Sequence, residues 1–220
     1  MTDLTSQITT PAQPNLGNPG EVYDRLFFSQ TLSNIGNYAK RVTNALAALF
    51  GPRGGKYLNA PYGAFQDTTT QTVAAINTAT ALKFNTTDFS NGIVVDSTTK
   101  LRVSQSGIYN LQFSVQTQNT DTQLHDVYIW LRQDASGAGT DIPGSTGLIS
   151  VPSSHGGVDG HSIVGWNYFI TLNANDFVEI WWATNSTQVT IPYYAAGTSP
   201  TRPATASAVA TLSFVSNLSV

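Results

Sequence analysis

Two periodicities divide this chain. Between Glu21 and Phe50, apolar residues recur at Phe28, Leu32, Ile35, Ala39, Val42, Leu46 and Leu49, alternately four and three positions apart. That spacing predicts a helix carrying a heptad seam. Phe28, Ile35, Val42 and Leu49 take one set of core positions, and Leu32, Ala39 and Leu46 take the other. Gly20 precedes the segment, and Glu21 and Asp24 lie in its first turn, where the helix dipole favours negative charge. Tyr23, Leu26 and Phe27 add a second apolar group off the seam. Two readings stand: an amphipathic helix packed on its own domain, or a coiled-coil strand of about three heptads. Gly36 weakens the helix and no charged pairs flank the seam. Either way, residues 21–50 are an attachment or assembly element, a stalk.

From Gly63 the period becomes two. Tyr109, Leu111, Phe113 and Val115 alternate with Asn110, Gln112, Ser114 and Gln116, which predicts a strand with one face in a core and the other in a polar environment. Leu124–Arg132, Phe177–Ala183 and Ala206–Val215 are apolar on both faces. Further strands are predicted at Leu82–Phe84, Gly92–Val95, Lys100–Val103, Leu148–Val151 and His161–Thr171. Gly, Asn, Asp and Pro clusters separate them, as in a β sandwich.

The segments around these blocks complete the organisation. Residues 1–20 are Thr, Ser, Gln, Asn, Pro and Gly with few large apolar groups, which predicts an extended polar arm. Residues 51–62 form a Gly/Pro linker, and residues 63–220 a head domain. Within the linker, Gly51-Pro52-Arg53-Gly54-Gly55-Lys56 resembles a phosphate loop only in composition. Phe50 stands where its first Gly belongs, Tyr57 follows the Lys, and the segment trails a helix instead of opening one.

Composition narrows the function. Only 10% of residues are charged and the formal net charge is -3, so the clustered Lys and Arg that neutralise phosphates are missing and nucleic-acid binding is not expected. There is no cysteine, hence neither a disulfide framework nor a thiolate metal site. No apolar run reaches bilayer length, so no membrane insertion is expected. The polar start, Met1 to Gln13, does not read as a secretion signal.

Several head segments are similar to the C1q/TNF-like jelly rolls. Thr99-Lys100-Leu101-Arg102-Val103, then Gly107-Ile108-Tyr109, then the alternating strand to Val115, resembles that family's aliphatic, Gly-aliphatic-Tyr and strand succession. Val127-Tyr128-Ile129-Trp130-Leu131 sits where the next long strand belongs. Leu172-Asn173-Ala174-Asn175-Asp176-Phe177-Val178 is similar to the family's Leu-x-x-Gly-Asp-x-Val turn, with Asn175 in the Gly position. Ser213 to Leu218 ends the chain on a closing strand. The resemblance covers about Gly63 to Val220. It implies a mainly β, ten-strand-like jelly-roll sandwich that trimerises through aromatic faces about a three-fold axis. Thr198 to Ser207 also looks like the segment before the last strand in many tailed-phage virion proteins.

Candidate chemistry is sparse. Glu21 and Glu179 are the only glutamates, and most aspartates stand in turn contexts. Ser153-Ser154-His155 places a hydroxyl beside an imidazole, which does not make a triad. An enzyme is not expected, nor is a cofactor. His155, Asp159 and His161 in a Gly-rich turn are the best metal candidates, but a surface loop with solvated imidazoles is favoured and no metal is expected. Tyr128, Trp130, Phe177 and Trp181 are too many large rings to face water, and they mark a candidate trimer interface. A second core layer under a long loop is the other reading of those rings. The expected function is therefore a non-enzymatic virion structural protein: a homotrimeric capsid, neck or tail appendage. Residues 1–50 would hold it to other virion proteins. It would be assembled in the host cytoplasm and released by lysis. The alternative is an adhesin whose head recognises a host-surface glycan or protein receptor, with Trp166, Asn167 and Tyr168, or Tyr193 and Tyr194, as contact groups.

Overall fold

The structure is a computed structural model and describes residues 25–50, 60–134 and 139–218. It divides into two compact units, Met1–Ala60 and Pro61–Val220. The expected arm at 1–20, the helix start at Glu21–Asp24 and the linker at 51–59 lie outside the described residues.

In the first unit, helix α1 runs over Arg25–Phe50. Phe28, Leu32, Ile35 and Leu46 of the seam are each roughly half exposed, Ala39 is exposed and Val42 is half-buried. The side chain of Leu49 lies outside the described residues. One helix cannot cover its own stripe, so burial of the seam requires another surface. Among the described residues no helix is long and apolar enough to cross a membrane.

The second unit is a sandwich of two antiparallel sheets. The first has the order β3 (Thr86–Asn91), β1 (Tyr62–Asp67), β15 (Ala208–Ser216), β6 (Gly107–Asn119) and β10 (Gly160–Leu172). The short β12 (Val189–Thr190) continues the line of β15 along the far end of β6. The second sheet has the order β4 (Ile93–Asp96), β5 (Lys100–Val103), β11 (Phe177–Thr184) and β7 (His125–Asp134). On the outer side of β7 lie β8 (Thr140–Asp141) and β9 (Gly147–Val151), and β2 (Thr80–Ala81) adds to β11. A separate hairpin pairs β13 (Gly197–Thr198) with β14 (Thr201–Arg202) across a cis Ser199–Pro200 peptide.

Alternation decides which side chains fill the space between the sheets. On β6, Tyr109, Leu111, Phe113 and Val115 point inward, and the matching inward set on β15 is Ala208, Ala210 and Leu212. Facing them are Val127, Ile129 and Leu131 of β7 and Val178, Ile180 and Trp182 of β11, all fully or almost fully buried. Asn175 adopts φ 73°, the left-handed conformation that its place in the turn before β11 requires and that Asn tolerates better than most residues.

Some strand expectations need correction. Leu82–Phe84 is not a strand; the pairing segment is Thr80–Ala81. Leu82 and Phe84 are nevertheless buried, and their amides donate singly to the carbonyls of Ile180 and Thr98. Strand β1 opens at Tyr62, one residue before the expected head boundary, and β3 had no signal in the sequence at all. Its residues, Thr-Thr-Asp-Phe-Ser-Asn, are mostly exposed at the edge of the sheet, where no buried face imposes alternation.

Tyr109 anchors the entry to β6. Its ring is fully buried, meets Phe214 edge-on at 5.7 Å, and its hydroxyl donates to the carbonyl of Gln105 at 2.6 Å. Burial pushes that hydroxyl well above the ordinary tyrosine pKa. Tyr109→Phe removes the bond but keeps the ring, so urea unfolding should show a loss of about 1 kcal/mol with an unchanged m-value. A loss near zero would mean the hydroxyl bond contributes nothing to the corner.

Candidate functional site

The two sheets present outer faces of opposite character. The face of the second sheet carries the four rings expected at an interface, of which only Trp130 and Trp181 meet, with Phe177 and Tyr128 toward opposite ends of the β7–β11 ladder. Trp130 and Trp181 pair across β7 and β11 with ring centroids 6.4 Å apart. Much of their surface is covered by this chain's own polar groups. The Arg132 guanidinium lies 4.1 Å above Trp181, and its Nε donates to Asp141 Oδ1 at 2.8 Å. Trp130 Nε1 donates to the same oxygen, and Trp181 Nε1 donates to Glu179. Phe177 lies under Lys100 and Arg102 and is only 2% exposed, so it has almost no surface left to offer a partner. Tyr128 keeps 38% exposure. Cations over ring faces account for part of the apolar character read on both faces of β11.

The first sheet handles its outer face differently. Strands β10, β6 and β15 contain no Lys, Arg, Asp or Glu. Their outward positions are mostly Asn, Gln, Ser and Thr, with His161, Gly165 and the half-buried Ile108, interrupted by the exposed Ile163, Phe169, Val209 and Val215. Tyr62 and Phe89 extend this surface onto β1 and β3, with rings 6.0 Å apart. Register places Tyr62 and Phe169 toward one end of the sheet, since Tyr62 pairs with Ser213, and both Ser213 and Phe169 pair with Asn110. The signal for this face was present in the sequence, because Ala206–Val215 reads as apolar on both faces.

The remaining candidates separate. Trp166 and Tyr168 face inward and pack on the core, with Trp166 4.8 Å from Phe113. His155 closes a tight backbone bridge with Val158, whereas Asp159 accepts from Gln118 and His161 meets Tyr194. Among the described residues no three His, Asp or Glu side chains gather in a metal-binding group. The carboxylates that the structure details serve the fold. Asp67 accepts from Thr69 and Gln71, Asp176 from Asn173, and Glu179 from Thr99 and Trp181.

Two surface pairs set an acid-side dependence. Hydrogen bonding from Arg102, then from Ser97, lowers the pKa of Asp96, and hydrogen bonding from Arg132 lowers that of Asp141. A lowered folded-state pKa gives stability that is complete above the unfolded value, near 4, and is lost as pH falls through the folded one. Urea melts between about pH 6 and pH 2 should therefore lose stability below about pH 4. Asp96→Asn with Asp141→Asn should flatten that fall and lower stability at neutral pH. An unchanged acid slope in the double variant would contradict these pairings.

No protein-family model matches the sequence, and no curated protein matches it, so the functional reading rests on this geometry.

Proposed function

We propose that this chain is a non-enzymatic structural subunit whose head is a jelly roll of the C1q/TNF-like kind and whose copies assemble as a homotrimer. The strand order supports the first part. Two antiparallel sheets of six and seven strands, with main paths β3-β1-β15-β6-β10 and β4-β5-β11-β7-β8, enclose one core, an arrangement compatible with a jelly roll.

The outer face of the first sheet carries the second part. Burying charged groups against a partner costs several kcal/mol each unless they are paired, so strands that carry none can be covered at little cost. The exposed Phe169, Val209, Val215, Tyr62 and Phe89 supply the apolar area that drives association. The uncovered seam of α1 gives the stalk its own reason to associate. We further propose that the assembly is a virion appendage, with residues 1–50 as the attachment region. The low charge and the Thr/Asn/Gln-rich composition support that placement.

Sedimentation equilibrium of the full chain at micromolar concentration should give the mass of three chains. Phe169→Asp with Val209→Asp should weaken the trimer by at least about 100-fold in association constant, while far-ultraviolet circular dichroism stays native. A monomer at these concentrations contradicts the assembly reading. Labelled antibody against the head should decorate intact particles, and purified particles without label would remove the virion placement.

A further inference from the structure

The end of the first sheet away from Tyr62 holds a cleft that the assembly reading does not use. It encloses about 610 Å³ between the outer face of β6 and β10 and the segment joining β12 to β15. Gln116 and Gln118 come from β6, His161 and Ile163 from β10, and Tyr194 and Arg202 from the joining segment. Gln116 lies six residues along β6 from Asn110, which places the cleft roughly 20 Å from the row where the chain enters the head.

The joining segment stands as a built wall. Tyr194 and Thr205 exchange backbone hydrogen bonds at 3.0 and 2.8 Å, and the β13–β14 hairpin rises between them. Gly197 faces Arg202 across that hairpin. A Cβ at Gly197 would lie 3.0 Å from both Cγ and Nε of Arg202, so its absence leaves room for the arginine side chain to pass. The guanidinium ends with one weak bond, from Nη1 to the carbonyl of Ala195 at 3.4 Å. The other two arginines of the head, Arg102 and Arg132, each hold an aspartate. Arg202 holds none.

The opposite side of the cleft is a polar array on an apolar floor. Gln118 Nε2 donates to Asp159 Oδ2 at 2.5 Å. The Tyr194 hydroxyl and His161 Nδ1 are 3.4 Å apart, with the two rings edge-on at 6.2 Å. Ile163, 71% exposed, lies among these groups. The electrostatics place both charges at the tyrosine. Burial raises its hydroxyl pKa most, the charge of Asp159 adds to the rise, and Arg202 opposes it.

We propose that this cleft binds one carboxylate-bearing sugar unit of a saccharide. The planar fork of Arg202 matches a carboxylate in two parallel hydrogen bonds. Gln116, Gln118, Ser162 and Thr205 would offer donors and acceptors to sugar hydroxyls, and Ile163 with the Tyr194 ring would meet the C–H face of a pyranose. Among the described residues no carboxylate pairs with Arg202, and Asp159 is held by Gln118, which leaves the guanidinium free for a monoanion; a phosphodiester chain needs a cluster of cations that the cleft lacks. The cleft is also too open to enclose an apolar small molecule on most sides.

The test uses the full chain and three carboxylated oligosaccharides: sialyllactose, an oligogalacturonate and a hyaluronan tetrasaccharide. Lactose and methyl-esterified oligogalacturonate serve as neutral counterparts. Saturation-transfer NMR followed by titration calorimetry should show at least one acidic ligand binding at roughly millimolar affinity or better, and its neutral counterpart at least about tenfold weaker. Arg202→Gln should lose about tenfold or more, Arg202→Lys should lose less, and neither should move the thermal midpoint, because Arg202 is exposed. Sedimentation of the same variants separates a failure of this site from a failure of assembly. The proposal is overturned if no acidic ligand binds, if the neutral ligands bind equally well, or if Arg202→Gln binds like the parent chain.

Discussion

Thirteen consecutive residues of β6 pair with thirteen of β10, from Gly107 opposite Leu172 to Asn119 opposite Gly160, without a break in register. A one-residue slip would turn Tyr109, Leu111, Phe113 and Val115 out to solvent and bring Asn110, Gln112, Ser114 and Gln116 into the core. The core therefore holds the ladder in place, and the ladder in turn positions both ends of the outer face. At one end it brings Phe169 and Val215 to the surface. At the other it carries Gln116, Gln118, His161 and Ile163 to the cleft. On its second edge β6 pairs with β15 and then β12, so this strand is covered on both edges.

A sandwich must settle two outer faces as well as one core, and this chain settles them by different physics. On the second sheet, aromatic rings are shielded by Lys100, Arg102 and Arg132, whose aliphatic stems and cationic heads lie over the ring faces. Arg102 and Arg132 are in turn neutralised by Asp96 and Asp141. That cover is partial, since Val94, Tyr128 and Leu148 of the same sheet stay exposed. On the first sheet β10, β6 and β15 carry no lysine or arginine to do the same for Phe169, Val209 or Val215. Cover for them would come from outside the chain, and the proposed homotrimer would supply it through copies of the same neutral surface.

Much of the head was legible in the sequence because burial imposes alternation. The strands Lys100–Val103, Gly107–Asn119, His125–Asp134, Gly147–Val151, Gly160–Leu172 and Phe177–Thr184 all lie close to where the pattern places them. The edge strand Thr86–Asn91 was not legible, since it buries neither face and leaves no periodic mark. The rings of β7 and β11 show a different limit. Alternation identifies which residues leave the core, but not what meets them outside. Nothing local to Phe177 announces that Lys100 and Arg102, some seventy-five residues earlier, will cover it. The cleft was hidden for the same reason. Arg202 and Gln118 lie far apart along the chain, and only the return of the segment between β12 and β15 across the sheet brings them together. Tyr194 was named as a contact group from its chemistry, without its neighbours.

Assembly through the neutral face is the central claim, and the absence of native cysteine permits a direct measurement of it. Thr211 stands on the outward side of β15 in the first sheet, and Ser150 on the outward side of β9 in the second; both are exposed within one chain. Single Thr211→Cys and Ser150→Cys variants of the full chain can be labelled with a maleimide over a range of protein concentrations. Thr211→Cys should react slowly when concentrated and speed up on dilution, while Ser150→Cys reacts quickly throughout. Equal labelling of both sites in a multimeric sample, or protection at Ser150→Cys alone, would contradict the account.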